Sequence, residues 1–482
     1  MAWCEEEEMD SKELVSQKLH DRQLRENLEY VMGMLQNNRK KLIKERYADW
    51  EALREEGRKV KQNTLSRLPE LLERFEKKAS ENGIKVHWAS NPNEANEIIY
   101  NIAKENNVDT ILKGKSMASE EIHLNHYLQH RGVKAIETDL GEIIIQLIDE
   151  PPVHIVVPAI HKNRYQIGEI FEKHLKVERF SEPEDLNAVA RTHLRKEFKT
   201  FKMGLSGVNF AIADEGAIWL LENEGNGRMS TTVPDIHVAI CGIEKIVEKF
   251  DDAVILDTLL IPSATGQSIT CYNNIITSPR KDGDLDGPKE VHVILLDNHR
   301  SDILSHKQYA RALSCIRCGT CMNHCPVYDK VGGHAYGATY PGPIGEVISP
   351  QLFGIDKYGY ILNLCSLCGR CSEVCPVKIP LAEMIRDLRY EKVKEKKEKI
   401  LGIDRLPSKG AEKASFGMFA WLATTPWAWR LMMWNVNLFG SFAKPFASIL
   451  PGLKQWISCR AFPKLDASFQ SEVKKMEGVI YE

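Results

Sequence analysis

The sequence has almost no excess of charge of either sign, because 64 Lys and Arg residues stand against 67 Asp and Glu residues in a chain of 482. A surface without a strong field offers little attraction to nucleic acid, so nucleic-acid binding is not expected. The first ten residues, MAWCEEEEMD, contain no basic segment followed by an apolar core. We therefore expect no signal peptide and a cytoplasmic location.

Two glycine-rich loops that bind common cofactors are also absent. The chain contains neither G-x-G-x-x-G after a strand-like run nor G-x4-G-K-[ST]. The first loop binds the pyrophosphate of a dinucleotide, and the second binds the phosphates of a nucleoside triphosphate. Neither cofactor is expected here, and no segment identifies a flavin site.

Long apolar runs are missing as well. Residues 414–429 carry no charge, but Pro426 interrupts this stretch and Arg430 ends it. A helix needs roughly 20 apolar residues to cross a bilayer, so we expect no transmembrane helix. The stretch instead predicts helices that pack on the cysteine-rich region or on a partner. Peripheral membrane contact is the alternative.

Cysteine, by contrast, is abundant and clustered. Eight of the 12 cysteines lie between residues 315 and 375, whereas Cys4, Cys241, Cys271 and Cys459 stand alone. In a long chain without a signal peptide, such clustering indicates metal binding rather than disulfide bonds. Cys241 and Cys271 lie among apolar residues and are predicted to be small core residues.

The clustered cysteines form two copies of the motif C-x2-C-x2-C-x3-C-P, which is typical of [4Fe–4S] proteins. Three cysteines of one motif bind one cluster, and the fourth, which precedes proline, binds the other. One cluster is predicted to have the ligands Cys315, Cys318, Cys321 and Cys375. The other is predicted to have the ligands Cys365, Cys368, Cys371 and Cys325. Zinc is the alternative, but a zinc site needs only two C-x2-C pairs, so thiolates would be left over.

Residues beside the cysteines repeat too. Gly319 and Gly369 occupy the same place in the two motifs, where the missing side chain lets the backbone pass close to cluster sulfur. Arg317 and Arg370 either offset the charge of the clusters or lie solvated on the surface. The long glycine- and proline-rich segment between the motifs resembles that of the helical ferredoxin domains of fumarate reductase and heterodisulfide reductase, which implies an electron relay.

The chain divides into four predicted parts. Residues 1–65 form a charged helical arm whose apolar residues recur on one face. Residues 66–300 alternate short β-branched runs with amphipathic stretches, which favours an α/β domain with a largely parallel sheet. Residues 301–395 form an all-α domain for two [4Fe–4S] clusters, and residues 396–482 form an aromatic helical tail.

Within this scheme the predicted strands are residues 109–112, 133–136, 154–157, 208–212, 217–221, 236–240, 253–256 and 292–296. The predicted helices include residues 93–105, 119–131, 184–201 and 381–397. Residues 281–288, rich in turn formers, predict a loop before the last strand.

Seven segments, followed by the two cysteine motifs, resemble the lactate-utilisation protein B family, an iron–sulfur family with an N-terminal LUD domain. They are KGKSMASEE (113–121), ETDLGE (137–142), IVVPAIHK (155–162), NEGNGR (223–228), GIEKIV (242–247), SATGQ (263–267) and DGPKEVHV (286–293). The resemblance covers about residues 70–390. The combination of segments in this order is far more specific than any one of them.

The resemblance implies an α/β domain similar to the sugar-isomerase and CoA-transferase-like fold, and an electron-transfer role in the oxidation of L-lactate to pyruvate. It also implies partners that resemble a cysteine-rich iron–sulfur subunit and a smaller LUD-domain subunit. A quinone or a soluble carrier is the expected acceptor. Because each cluster passes one electron whereas lactate loses two, we expect the dehydrogenation step elsewhere in a complex and assign no catalytic residue.

Several residues leave alternatives open. Lys115 and Ser116 precede a helix start that either binds an anion or is simply capped. Glu224 would be a carboxylate nucleophile if the α/β domain were an isomerase or acyl transferase with structural or regulatory clusters. His161 and His237 flank apolar strands and receive no role.

Two polar loops, residues 223–228 and 263–267, lie beside strands, where α/β folds commonly bind ligands. A third possible role for the whole chain is that of a scaffold that binds partner proteins through its helical ends.

Overall fold

The computed structural model describes residues 11–398 and 410–432, and the chain divides into two compact units, residues 1–393 and 394–482. In the described ranges the α-helices are α1 (Ser11–His20), α2 (Arg22–Arg46), α3 (Trp50–Ser66), α4 (Leu68–Glu81), α5 (Pro92–Glu105), α6 (Met117–Glu121), α7 (Leu124–Gln129), α8 (Leu140–Leu147), α9 (Arg164–Leu175), α10 (Pro183–Glu197), α11 (Asn226–Thr232), α12 (Phe250–Thr265), α13 (Arg300–Ser305), α14 (Thr320–Asn323), α15 (Tyr328–Val331), α16 (Gly342–Phe353), α17 (Ile355–Tyr358), α18 (Arg370–Val374), α19 (Leu381–Glu398) and α20 (Gly410–Thr424). Short 3₁₀ helices span Ile243–Lys245, Ala310–Ser314, His334–Tyr336 and Gly359–Leu364. The strands are β1 (Lys85–Ala89), β2 (Thr110–Lys113), β3 (Lys134–Glu137), β4 (Met203–Gly207), β5 (Phe210–Ile212), β6 (Ala217–Glu222), β7 (Ile236–Gly242), β8 (Ile246–Val247), β9 (Tyr272–Ile276) and β10 (Glu290–Leu296).

Six strands form a sheet in the order β1-β10-β7-β4-β2-β3, and every neighbouring pair is parallel. The central strand β7 is buried along its whole length, as expected when both faces of a parallel sheet are covered. Val238 and Ile240 pack on one face with α5, whereas Ala239 and Cys241 pack on the other face with α4. The predicted α/β domain with a largely parallel sheet is therefore confirmed.

The strand order reverses beside β2, because β3 lies on one side of β2 and β4 lies on the other. From the carboxyl ends of β2 and β4 the chain continues in opposite directions, so a crevice opens between these two strand ends. Open α/β sheets bind ligands at such a point. A second, mixed sheet with the order β8-β5-β6-β9 lies in the same unit.

Two strand predictions are wrong. Residues 253–256 belong to helix α12, because Ala253, Leu256 and Leu259 are buried at helical spacing rather than in alternation. Residues 154–157 form no strand.

In that second segment, the ring nitrogen Nδ1 of His154 accepts hydrogen bonds from the backbone N–H groups of Val156 (3.0 Å) and Val157 (3.2 Å), which turns the chain. The apolar side chains of the segment pack with the cysteine-rich region instead of a sheet.

The helix predicted for residues 119–131 is also interrupted. Helix α6 ends and α7 begins around His123, whose φ of 52° lies in the left-handed region and ends α-helical geometry. By contrast, the predicted helices 93–105 and 381–397 correspond closely to α5 and α19, and the loop predicted at 281–288 precedes β10.

From residue 11 onward, the predicted helical arm consists of three helices, because Asp21 and Asp49 begin new ones. The Asp21 carboxylate accepts from the N–H of Leu24 at 2.9 Å, and the Asp49 carboxylate accepts from the N–H of Ala52 at 2.8 Å. The buried face of α2 packs against α12 and α15 and consists of Leu24, Leu28, Met32 and Leu35. The arm therefore contacts both the α/β domain and the cysteine-rich region.

The uncharged stretch at residues 414–429 lies mostly in α20, and Trp421 of this helix meets Trp427, beyond its end, edge to face with ring centroids 5.9 Å apart. Among the described residues, no helix is long and apolar enough to cross a membrane. The tail beyond residue 432, including Cys459, lies outside the described residues, as does Cys4.

A buried network of charges joins the α/β domain to the cysteine-rich region. Arg300 forms ion pairs with Glu121 (Nη2–Oε2, 2.7 Å) and Glu244 (Nε–Oε2, 2.6 Å), and these three side chains are at most 2% exposed. The hydroxyl of Tyr340, from the segment between the cysteine motifs, donates to Glu121 at 2.6 Å. Each buried charge thus depends on its neighbours for compensation.

We predict that Arg300→Met destabilises the fold by about 3–5 kcal/mol, because Glu121 and Glu244 would lose their shared cation in a buried site. The control is Arg164→Met, which breaks an exposed ion pair with Glu182 and should leave the melting temperature almost unchanged. Anaerobic thermal unfolding of both variants measures the difference. Equal melting temperatures for the two variants would contradict the role of the network.

Candidate iron–sulfur centre and adjoining pocket

The two cysteine motifs adopt the same backbone structure. A 3₁₀ helix precedes the first cysteine of each motif, and a short α-helix, α14 or α18, carries the third. Arg317 (φ 62°) and Leu367 (φ 56°) hold equivalent left-handed positions, as do Gly319 (φ 74°) and Gly369 (φ 79°). At Gly319 a Cβ atom would also lie 3.1 Å from His154, so glycine is required there by both backbone geometry and space.

Several cysteine sulfurs accept backbone hydrogen bonds in an equally repetitive pattern. The N–H of Arg317 lies 3.4 Å from Cys315 Sγ, and the N–H of Leu367 lies 3.2 Å from Cys365 Sγ. The fourth cysteine of each motif also accepts a bond, from Tyr328 to Cys325 (3.5 Å) and from Ile379 to Cys375 (3.3 Å). Such bonds stabilise thiolates, the ionisation state that binds metal.

The two predicted ligand sets each draw on both motifs. The first cysteine group comprises Cys315, Cys318, Cys321 and Cys375, of which Cys318 and Cys321 are affected electrostatically by Cys315 and Cys375. The second cysteine group comprises Cys325, Cys365, Cys368 and Cys371, in which Cys371 is affected by Cys365 and Cys325, and Cys365 by Cys368. Cys321 is also affected by Cys371, so the two groups adjoin.

The protonation chemistry of both groups fits a metal cluster. Burial and neighbouring cysteines raise the pKa of Cys371 to about 12, and burial is the main cause that raises the pKa of Cys375 to about 11. Without a cation these sulfurs would be neutral thiols at neutral pH. Iron supplies the positive charge that keeps the cysteines ionised.

The spacing of the sulfurs does not fit a single zinc ion. Four thiolates around zinc, with Zn–S bonds near 2.3 Å, lie about 3.8 Å apart. In the part of the chain that the structure describes, the sole set of three or more His, Cys, Asp or Glu ligand atoms within 4.8 Å of one another is Glu150, His161 and His334. The cysteines are thus more widely spaced, as required if iron and sulfide stand between them.

Basic side chains surround the first cysteine group. Arg54 donates to the carbonyl oxygens of Cys375 (2.7 Å) and Glu373 (2.6 Å), and Arg39 donates to that of Val374 (3.2 Å). Sequence reasoning missed both arginines, because they lie in helices α2 and α3 of the arm. The only sequence signal is an arginine on the apolar side of an amphipathic helix.

Lys61, Lys245 and Arg317 complete this basic environment. Lys61 is buried and donates to the carbonyl oxygen of Glu244 at 2.5 Å, and burial lowers its pKa to about 8, so it stays charged at neutral pH. Lys61, Lys245 and Arg317 all act electrostatically on Cys315. Arg317 is only 11% exposed, which favours the predicted role in charge compensation over that of a solvated surface residue. Arg370, by contrast, is 54% exposed.

The second cysteine group differs in charge and exposure. Cys368 is exposed, Cys365 is partly exposed, and Arg389 donates to the carbonyl oxygen of Cys365 at 2.6 Å. The fully buried carboxyl group of Glu346 lies nearby, and burial raises its pKa to about 8. One group therefore lies inside a basic shell, and the other reaches the surface.

A cavity of about 390 Å³ opens at the carboxyl ends of β2, β4 and β7, where the strand order reverses. Residues from both regions line the cavity, including Lys115, Glu224 and Lys245 from the α/β domain and Arg317 and Tyr340 from the cysteine-rich region. The predicted polar loops 223–228 and 263–267 contribute to its wall. Arg317 therefore lines the cavity and also lies beside the first cysteine group.

Comparison with known proteins now identifies the family. Family models match residues 72–296 (LUD domain), 311–379 (4Fe-4S dicluster domain) and 387–479 (lactate utilisation protein B, C-terminal). The lactate utilization protein B of Exiguobacterium sp. is 40% identical over 419 residues, which are 86% of each chain. This chain belongs to the lactate utilization protein B family.

Other known proteins are also similar to this chain. The lactate utilization protein B of Bacillus subtilis is 38% identical over 94% of this chain and 93% of its own. An uncharacterized electron transport protein of Escherichia coli K12, YkgF, is 38% identical over 97% of this chain and 96% of its own. A solved structure of a DUF162 family protein from Deinococcus radiodurans covers 48% of this chain and 98% of its own, at 15% identity and a TM-score of 0.27.

The family assignment confirms the predicted cofactors. A 4Fe-4S dicluster domain covers all eight motif cysteines, so two [4Fe–4S] clusters are the cofactors of this lactate utilization protein B homologue. The resemblance inferred from the sequence, to a family with a LUD domain, is confirmed as well.

The remaining predicted residues have mixed outcomes. Ser116 caps α6, since its Oγ accepts from the N–H of Ser119 at 3.2 Å, and α6 is too short to provide an anion site of its own. His237 is buried and bonds to Ser206 at 2.8 Å, which is a packing role. Cys241 is a core residue as predicted.

The prediction that Cys271 is a core residue is wrong, because Cys271 is exposed at the start of β9. Its chain segment runs along the edge of the second sheet, and β9 is largely exposed. A short apolar neighbourhood in the sequence does not distinguish an edge strand from a buried one.

Proposed function

We propose that this chain is an electron-transfer subunit for the oxidation of L-lactate to pyruvate, and that electrons pass through it one at a time. The observation that carries the proposal is the pair of equivalent cysteine loops, whose sulfurs form two adjoining groups. Adjacent one-electron sites are the arrangement that a relay requires. The names of the relatives, lactate utilization protein B and electron transport protein, support the pathway.

The organisation that we propose keeps the boundaries expected from the sequence: an arm at 1–65, a LUD-type domain at 66–300, a two-cluster domain at 301–395 and a tail at 396–482. We also propose that the LUD-type domain has the sugar-isomerase and CoA-transferase-like fold, which the reversed strand order supports. The location that we propose is cytoplasmic, with at most peripheral membrane contact. The proposed partners are a cysteine-rich iron–sulfur subunit and a smaller LUD-domain subunit.

Exposure and charge suggest a direction within the chain. The second cysteine group reaches the surface at Cys368, next to Leu367, which is 42% exposed, so we place electron exchange with a partner there. The first cysteine group lies behind it in a basic shell that includes Arg54 and Lys61. Positive charge stabilises a reduced cluster, so we expect the higher potential at the first group.

The cross-ligation proposal predicts which variants share a spectroscopic defect. Cys375→Ser should perturb the same cluster signal as Cys315→Ser, although the two residues belong to different motifs. Cys325→Ser should likewise match Cys365→Ser. Electron paramagnetic resonance of the four reduced, anaerobically purified proteins measures this. A Cys375→Ser spectrum that matches Cys365→Ser would show that each motif binds its own cluster.

The basic shell predicts a potential shift. Arg54→Met should lower the midpoint potential of the first-group cluster and leave the other almost unchanged, because a buried positive charge is removed beside Cys375 alone. Arg58→Met is the matched control, one turn along α3, where the guanidinium pairs with Glu55. Redox titration followed by electron paramagnetic resonance, with iron content checked, compares them. The shell has no tuning role if both variants retain the wild-type potential.

The complete proposal predicts reduction by substrate. Anaerobic addition of L-lactate to the chain assembled with its two proposed partners should bleach the visible absorption of the clusters, whereas the chain alone should not respond. Cys318→Ser in the assembled complex should slow reduction of an external acceptor. Lactate oxidation with no change in the cluster spectrum would refute a relay.

A second candidate function rests on Glu224. Its carboxylate accepts from the N–H of Leu140 at 3.0 Å at the exposed mouth of the cavity, and partial burial together with Asp139 raises its pKa to about 7. Such a group suits acid–base or nucleophilic chemistry, as in an isomerase or acyl transferase. Loss of activity in Glu224→Gln with normal cluster spectra, and retention in Cys318→Ser, would favour this candidate over electron transfer.

A further inference from the structure

The cavity at the carboxyl ends of β2, β4 and β7 has the size and position of a ligand site. About 390 Å³ lies within the range of small-molecule pockets, and the place where strand order reverses is where α/β folds bind them. Nothing in the relay described above uses this space. Its chemistry is decided by which polar groups in the wall still lack partners.

The acidic groups deep in the cavity are already satisfied. Glu244 accepts from Arg300 (2.6 Å) and from Arg317 (3.2 Å). Glu222 accepts from the backbone N–H groups of Gly227 (2.9 Å) and Arg228 (2.7 Å) at the start of α11. Neither carboxylate therefore has strong need of a cationic ligand.

The basic groups, by contrast, keep free donors. Nη1 of Arg317 is buried and makes no hydrogen bond. Lys245, which is partly exposed, also lines the cavity and adds a second basic group near Arg317. A buried donor without an acceptor is costly, so an acceptor that a ligand supplies to Arg317 would be stabilising.

Lys115 adds a third positive charge from the end of β2. Its ammonium donates to the carbonyl oxygen of Val156 at 2.6 Å, and the nearest carboxylate, that of Glu142, lies 3.9 Å away. Burial raises the pKa of Glu142 well above its usual value, which favours the neutral form of this carboxyl group beside Lys115. Two of the three donors of the ammonium group remain available.

We propose that this cavity binds a small carboxylate anion, held by Lys115, Lys245 and Arg317, directly beside the first cysteine group. The carboxylate supplies the acceptor that Nη1 of Arg317 lacks, in a charge-assisted hydrogen bond, and its charge attracts the ammonium groups of Lys115 and Lys245. Its negative charge lies next to Arg317, whose backbone N–H donates to Cys315 Sγ at 3.4 Å. Occupancy of the cavity therefore lowers the potential of the adjacent cluster, and reduction of that cluster weakens binding by the same factor.

The alternative explanation is that these cations serve only to balance cluster charge. A comparison of two lysines separates the explanations. Lys115 lines the cavity, whereas Lys104 is exposed on α5 and is not among the lining residues. Lys115 is thus the test of binding, and Lys104 is its control.

Equilibrium dialysis of the oxidised, cluster-loaded chain against radiolabelled L-lactate and pyruvate tests the proposal without any partner subunit. We expect saturable binding of at least one probe, at one site per chain, with a dissociation constant below about 10 mM. Lys115→Gln should weaken binding about tenfold or more, and Lys104→Gln should leave it unchanged within about twofold. Excess inorganic phosphate distinguishes a general anion site, which it would empty, from a carboxylate site.

A redox titration completes the test. Binding of the probe should lower the midpoint potential of the first-group cluster and leave that of the second-group cluster unchanged. Lys115→Gln should abolish this shift. The proposal is overturned if neither probe binds saturably, if phosphate empties the site at equal concentration, or if Lys115→Gln and Lys104→Gln weaken binding alike. These outcomes do not depend on lactate oxidation, so the site and the relay can fail separately.

Discussion

The structure depends on one buried ionic network, in which Glu244 at the end of β7 pairs with Arg300 and Arg317. Arg317 lies between the first two cysteines of its motif, so the sheet holds the cysteine loop in place through a charge interaction. The two arginines lower the pKa of Glu244 to about 2 although burial opposes them. Because an uncompensated buried charge is so costly, the α/β domain and the cysteine-rich region cannot separate without disrupting both.

The helical arm completes this arrangement from the other side. Arg54 donates to the carbonyl oxygen of Cys375, and Lys61 donates to that of Glu244, so one helix contacts both the second motif and the ionic network. A charged N-terminal segment is thereby part of the cluster environment rather than an appendage. The result is an electrostatic asymmetry: one cysteine group lies in a basic interior, and the other reaches solvent at Cys368.

The cavity beside Arg317 relates the two halves of the protein functionally. A parallel sheet with a reversed strand order provides a crevice for a ligand, and the cysteine-rich region provides one wall of it. A ligand charge at this place would act on the neighbouring cluster through a low-dielectric interior, where electrostatic interactions are strong. Under our proposal the LUD domain would thereby influence electron transfer.

The sequence by itself determined the features that rest on local pattern. The cysteine spacing predicted the cofactors, and the strand and helix periodicities predicted a parallel α/β domain. The matching glycines at 319 and 369 indicated two equivalent loops. Local pattern failed at residues 253–256 and 154–157, where contacts with distant segments decided between strand, helix and turn. Only the tertiary structure revealed the roles of Arg54 and Lys61 and the cavity, because these join residues that are far apart in the chain. Burial and charge pairing between such residues leave no periodic signal in the sequence.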